Sequence, residues 1–215
     1  MAGTLGKLYL ILYNLACIGG WGYCLILSVT ALRDGKSAAE LWSGGLELPL
    51  VAVQTAAVMA IVHALIGLVR SPWMTVAIQV SSRLMFVWGY TRYWPECQAD
   101  WSLFLMTISW SIAEIPRYLY YAVAQIMPSS EIPYPLFWIR YSMFIVLYPS
   151  GISGEILQVY AFYRDARAQS DILHYFTYLV ALMYVAGGPY MVGNMFSNRK
   201  REFKKRKEAA ASKSK

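Results

Sequence analysis

The sequence predicts an all-α membrane protein, a six-transmembrane helix bundle. Three observations carry that prediction. The chain is 58% hydrophobic and only 14% charged, where soluble domains carry about 25% charge. Six apolar stretches, each long enough to cross roughly 30 Å of hydrocarbon, alternate with short polar connections. The formal net charge of +7 sits entirely in the last segment, where nine Lys/Arg and two Glu follow Asn198; the remaining bases and acids cancel. The expected organisation is one membrane domain over 1–198 and a basic cytosolic tail over 199–215.

The first span, 8–32, has no charge between Lys7 and Arg33. It is too long for a cleavable signal and reads as a retained span. The second, 48–69, follows the longest connection, which is mixed in charge. Arg70-Ser71-Pro72 is a tight turn that makes the second span and the third, 72–90, an antiparallel hairpin. The third is the most polar, with Gln79 and Arg83. The fourth, 101–127, carries Glu114 and Arg117. The fifth, 135–163, carries Arg140, Tyr148 and Glu155, and the sixth is 172–196. Short loops favour an up-down arrangement of neighbours. No internal repeat of the kind transporters show is visible.

Orientation follows the tail. Its bases place the C-terminus in the cytosol, and an even number of spans returns the N-terminus to the same side. Lys7 and Arg70 then lie with the tail, and Arg33, Lys36, Arg92, Arg164 and Arg167 on the other side. Trp42, Trp73, Trp94, Trp101, Trp138 and Tyr190 crowd the span ends, as interfacial belts do. A basic tail can signal nucleic acid, but no soluble fold exists to present it; anionic lipid headgroups are the better partner.

Cys17, Cys24 and Cys97 form no CxxC and no Cys/His cluster, so no zinc site is readable. His63 and His174 are too few for a di-iron membrane oxygenase. The expectation is chemistry without metal or organic cofactor.

The chemistry is expected in the fifth span. A carboxylate at bilayer depth costs about 2.5–3.5 kcal/mol on insertion scales unless paired or wetted. Glu155 lies two helical turns from Tyr148 on one helix face. Two proton-transfer groups facing one cavity are what acid–base catalysis needs. Pro149, Gly151 and Gly154 predict an interrupted helix there, which at membrane depth lines a cavity. A structural Glu–Arg pair is the competing reading. Glu114 and Arg117, at i and i+3, are expected to pair; Arg83, Arg117 and Arg140 can face an anionic headgroup, and Arg140 can equally snorkel. Asn14, Gln54, His63 and Gln79 read as interhelical hydrogen-bonding groups. The string His63-Ala-Leu-Ile-Gly-Leu-Val-Arg70-Ser71 has the spacing of a tyrosine-phosphatase loop, but Ala64 stands where the thiolate nucleophile would be. Phosphatase chemistry is therefore excluded, and the string reads as a span end.

Several strings together are similar to a known family: Leu12-Tyr-Asn14 with Gly20-Trp21, Gln54-Thr-Ala-Ala57, His63 to Ser71, Gln79-Val-Ser-Ser-Arg83, Trp110-Ser-Ile-Ala-Glu-Ile-Pro-Arg-Tyr118, and Arg140-Tyr141 running into Leu147-Tyr-Pro-Ser-Gly-Ile-Ser-Gly-Glu155. Across almost its whole length the chain resembles the very-long-chain (3R)-3-hydroxyacyl-CoA dehydratases, also called protein-tyrosine-phosphatase-like and including the Pasticcino-type proteins. The resemblance implies a six-spanning protein of the endoplasmic reticulum membrane with both termini cytosolic. It implies dehydration of a long-chain (3R)-3-hydroxyacyl-CoA to a trans-2-enoyl-CoA, the third step of fatty-acid elongation, without cofactor and beside other elongase components. Tyr148 and Glu155 match the family's catalytic pair. Arg83, Glu114, Arg117, Arg140 and Tyr141 are the further candidates for binding or orienting substrate. Two departures stand out. The family usually carries Leu-Glu-Ile before the histidine, where this chain has Met59-Ala60-Ile61. Asn198-Arg-Lys200 replaces a common Gln-Arg-Lys. The alternative is a non-catalytic elongase scaffold or membrane interaction protein.

Overall fold

A computed structural model describes residues 3–69, 71–169 and 171–213. Arg70 and the side chains of Arg167 and His174 lie outside the described residues. Helix accounts for every regular element among those residues. The first span forms α1 (Thr4–Arg33). A short α2 (Ala38–Leu41) opens with a capping box in which the Ser37 hydroxyl accepts from the Glu40 backbone N–H. The chain then turns at Trp42–Leu46 through Gly45, whose φ of 117° lies where side chains with a Cβ are strained. The second predicted span appears as α3 (Glu47–Ala56) and α4 (Val58–Leu65), with a break at Ala57. The third is α5 (Trp73–Leu84), which widens into a π-helical turn over Met85–Thr91. After the short α6 (Pro95–Ala99) come α7 (Ser102–Val123), α8 (Tyr134–Ser142), α9 (Phe144–Gln169) and α10 (Asp171–Lys213).

α7 is central, packed between α1 and α9, and α10 lies along α9. α4 and α5 pack on each other as the hairpin predicted from the tight turn. Gly154 lets α9 approach α7 closely: a Cβ there would lie 2.8 Å from the Met106 backbone nitrogen. Tyr13 of α1 meets Tyr118 of α7, Arg140 of α8 reaches Tyr121, and Arg199 of α10 reaches Ser142. These contacts bring the start of α1 and the far part of α10 to the same end of the bundle.

The molecule is apolar outside, and its largely apolar core encloses a set of buried polar groups. Leu5, Leu12, Ile26, Ile78, Val146, Leu182 and Val185 are exposed, whereas Asn14, Gln54, Glu114, Glu155 and Gln158 are buried. Exposed apolar surface on this scale is a membrane-facing surface. Three helical stretches are long and apolar enough to cross a bilayer by length and composition: Thr4–Arg33, Ala38–Leu65 and Asp171–Ala211. The chain is a multi-pass membrane protein. α7 has 22 residues, about 33 Å at 1.5 Å per residue, and is also long enough to span; with α5 and α9 it carries the buried charge.

One expectation is corrected. α9 runs unbroken through Pro149, Gly151 and Gly154. The break falls earlier, at Met143, between α8 and α9. Pro149 is in the second turn of α9, where its missing N–H removes only the bond to the Ile145 carbonyl. Gly154 serves close packing and does not bend the chain. The basic tail is helical, since α10 continues through it to Lys213. Its Phe203 packs on Phe137, and Arg206 donates to the Ile132 carbonyl at 2.7 Å while stacking on the Phe137 ring.

Candidate active site

Four helices contribute to a polar cluster at mid-bundle. α9 supplies Glu155, which is 8% exposed. α7 supplies Trp110, whose indole Nε1 donates to Glu155 Oε1 at 2.9 Å. α10 supplies Tyr184, whose hydroxyl donates to Glu155 Oε2. α5 supplies Arg83, whose guanidinium lies 5.1 Å from the centre of the Trp110 ring. Both carboxylate oxygens are therefore engaged by protein donors, as a buried charge requires.

Tyr148 is half-buried, two turns from Glu155 on the same face of α9. Gly151 lies between Tyr148 and Glu155 on that face, against the Trp110 ring. Its lack of a side chain leaves room there. One turn away, the Ser109 hydroxyl donates to that of Ser150 at 3.0 Å.

A second cluster adjoins the first along α7. Glu114, almost wholly buried, forms ion pairs through Oε1 with Arg83 and with Arg117, the latter at 3.1 Å. The i,i+3 pair expected from the sequence is present, and Arg83 joins it from another helix. Arg140 sits toward the tail end of the bundle: its Nη2 donates to the Tyr121 hydroxyl at 2.8 Å, and its guanidinium lies 5.3 Å from the Tyr141 ring centre. Tyr141 in turn reaches the Tyr120 hydroxyl at 3.4 Å. Two arginines thus share the single Oε1 of Glu114, and Arg140 stands apart without an ion-pair partner among the described residues. Glu114 Oε2, Arg117 Nε and Arg140 Nε are buried without a protein partner.

The structure gathers Tyr148, Glu155 and Arg83 into one neighbourhood and links it to Glu114 and Arg117; Arg140 and Tyr141 form a separate outpost. Trp110 and Tyr184 were not singled out by the sequence. Trp110 stands in a recognisable string, but nothing in that string says that it meets a residue 45 positions away. Tyr184 is one of 17 tyrosines, in a span without a motif. Among the described residues no group of three His, Cys, Asp or Glu side chains gathers as metal ligands.

A family model described as "Protein tyrosine phosphatase-like protein, PTPLA" matches residues 54–205. The chain belongs to the PTPLA family. It is 36% identical to the Arabidopsis thaliana very-long-chain (3R)-3-hydroxyacyl-CoA dehydratase PASTICCINO 2, over 96% of this chain and 99% of that one. It is 34% identical to the Caenorhabditis elegans dehydratase hpo-8, over 90% and 93% respectively. The Homo sapiens very-long-chain (3R)-3-hydroxyacyl-CoA dehydratase 2 is 34% identical, over 92% of this chain and 81% of that one. No solved structure matches the chain. In this PTPLA chain the string that suggests a phosphatase loop is structural: buried His63 shares a hydrogen bond of 2.9 Å between its Nε2 and the Tyr9 hydroxyl, which ties α4 to α1. That is the interhelical role expected of it. Asn14 instead donates to the Leu10 carbonyl of its own helix.

Proposed function

We propose that this chain dehydrates very-long-chain (3R)-3-hydroxyacyl-CoA to trans-2-enoyl-CoA, the third step of the elongation cycle, with Tyr148 and Glu155 as its acid–base pair. The observation that carries the proposal is the buried Glu155 carboxylate at mid-bundle with Tyr148 on its face, in a chain whose full-length relatives bear the name of that reaction. Elimination of water breaks the C2–H and C3–O bonds. One group takes the proton from C2, and another gives a proton to the departing hydroxyl, which leaves as water. Two titratable side chains on one helix face supply both transfers, and a proton passed between them afterwards resets the pair. Tyr148, the more exposed, meets the substrate, and Glu155 shares its proton. No metal or organic cofactor enters the scheme.

Arg83, Arg117 and Arg140 form a cationic row from mid-bundle toward the tail end, which suits the phosphates of CoA. The acyl chain then lies in the apolar interior between helices, with CoA at the tail side. In this reading the bundle spans the endoplasmic reticulum membrane six times, with both termini in the cytosol and other elongase components beside it. Dehydration of a long-chain 3-hydroxyacyl-CoA by membranes carrying the protein tests the proposal. Tyr148→Phe and Glu155→Gln should each lower turnover by about 10²–10⁴-fold while the bundle stays folded. Near-full turnover in either variant would remove that residue from the mechanism.

One departure favours a second reading, a non-catalytic scaffold within an elongase complex. Ala60 stands where the family usually has Glu. It is half-buried on α4. A folded wild-type protein that forms no enoyl-CoA would favour this reading, with Ala60→Glu as the first restoration.

A further inference from the structure

We infer that Tyr184 of α10 and Trp110 of α7 are positioning residues that hold the Glu155 carboxylate from both sides. The inference rests on the dehydratase reading for its kinetic consequences, but its geometry is independent of it. Trp110 Nε1 donates to Oε1 and the Tyr184 hydroxyl donates to Oε2. Each donor comes from a different helix, and neither belongs to α9. An unheld glutamate has three side-chain torsions; two donors on its two oxygens leave one orientation of the carboxylate plane. Each oxygen keeps a second acceptor direction, so Glu155 can still exchange a proton while it is held.

The supports of the two donors are themselves fixed. Trp110 is 2% exposed, edge-on to Trp21 at 6.4 Å, and has Arg83 over its ring. The Tyr184 ring meets Phe86 edge-on at 5.9 Å. Phe86 lies in the π-helical turn after α5, the helix that carries Arg83. α1, α7, the turn after α5 and α10 therefore all bear on one carboxylate. A catalytic group held near its productive geometry needs this kind of support. It also explains why the sixth span enters the site although no motif lies in it: α10 provides the donor that closes the far side of Glu155.

The test compares wild type, Glu155→Gln, Tyr184→Phe and Trp110→Phe in lipid nanodiscs with a long-chain 3-hydroxyacyl-CoA. Tyr184→Phe removes one oxygen and keeps the ring against Phe86. We expect kcat to fall about ten- to hundredfold, KM to stay within about twofold, and the pH profile of kcat to be displaced. Trp110→Phe should act in the same direction. Wild-type kcat and pH profile in Tyr184→Phe would overturn the inference. The infrared carboxyl band that disappears in Glu155→Gln gives a readout without turnover. It should shift in Tyr184→Phe and in Trp110→Phe, and a band unmoved in both would overturn the inference even if the wild type proves inactive on this substrate. An inactive wild type with a shifted band would sink the dehydratase reading and leave the positioning role standing. If Tyr184→Phe does not fold, Trp110→Phe carries both readouts.

Discussion

Gly154→Ala is the sharpest test of how the bundle presents Glu155. The added methyl would lie 2.8 Å from the Met106 backbone nitrogen and 3.0 Å from its Cα. Ordinary van der Waals contacts of this kind begin near 3.4 Å, and contacts under 3.0 Å are essentially never seen. The obstacle is backbone, so no side-chain rotation relieves it, and α9 must retreat from α7 by about half an ångström. Overpacking of this sort costs about 1–3 kcal/mol. Alanine offsets part of that, since it favours helix over glycine by about 1 kcal/mol. The net expectation is a loss of about 0–2 kcal/mol. Activity should fall further than stability, because Glu155 is the next residue and Trp110 sits on the helix being pushed away. A displacement of 1 Å can cost about a hundredfold in rate, and half of that suggests about tenfold. Thermal unfolding in nanodiscs and turnover of the hydroxyacyl-CoA measure the two effects. Gly151→Ala is the control: its methyl would meet Trp110 at an ordinary 3.7 Å. It should fold normally yet intrude between Tyr148 and Glu155, raising KM or lowering kcat. A Gly154→Ala protein with wild-type stability and turnover would refute the close-approach argument.

Two further outcomes follow from buried polar groups. Glu114→Gln keeps the shape of the side chain but leaves Arg83 and Arg117 without a countercharge; both arginines are about a quarter exposed, so the loss should be about 2–3 kcal/mol, less than a fully buried pair would give, read as a lower unfolding temperature. Gln158→Leu removes donors to the Cys97 carbonyl at 2.9 Å and the Ser102 hydroxyl at 3.0 Å and an acceptor for Thr91; it should cost about 2–3 kcal/mol, with kcat of the folded fraction unchanged.

The parts of this protein that are local in sequence were legible, and those that arise between distant helices were not. The span expected over 101–127, which α7 fills from Ser102 to Val123, the α4–α5 hairpin and the Glu114–Arg117 pair each follow from spacing along one segment. The face shared by Tyr148 and Glu155 follows from helical periodicity alone. What Glu155 touches does not, because Trp110 and Tyr184 approach from other helices at separations of 45 and 29 residues. The Arg83–Glu114 pair was hidden for the same reason: each residue was seen as buried charge, but the partner across helices was not. At 149–154 proline and glycine signal a breaker by composition, whereas the structure uses Gly154 to bring two backbones together. The tail is legible as charge but not as a docked helix, because the aromatic residues that dock it, Phe137 and Phe203, lie in different segments.

The docking of Arg206 has a consequence in time. Its guanidinium reaches back 74 residues to the Ile132 carbonyl in the α7–α8 connection. At about 5–20 residues per second of synthesis, the connection waits roughly 4–15 s before its partner exists. The α7–α8 end of the bundle, with Arg140 and Tyr141 beside it, is therefore finished last. The Glu155 cluster shares this delay, since it stays open on one side until Tyr184 has been made, and the α10 donor to Glu155 therefore arrives before the contact that docks the tail.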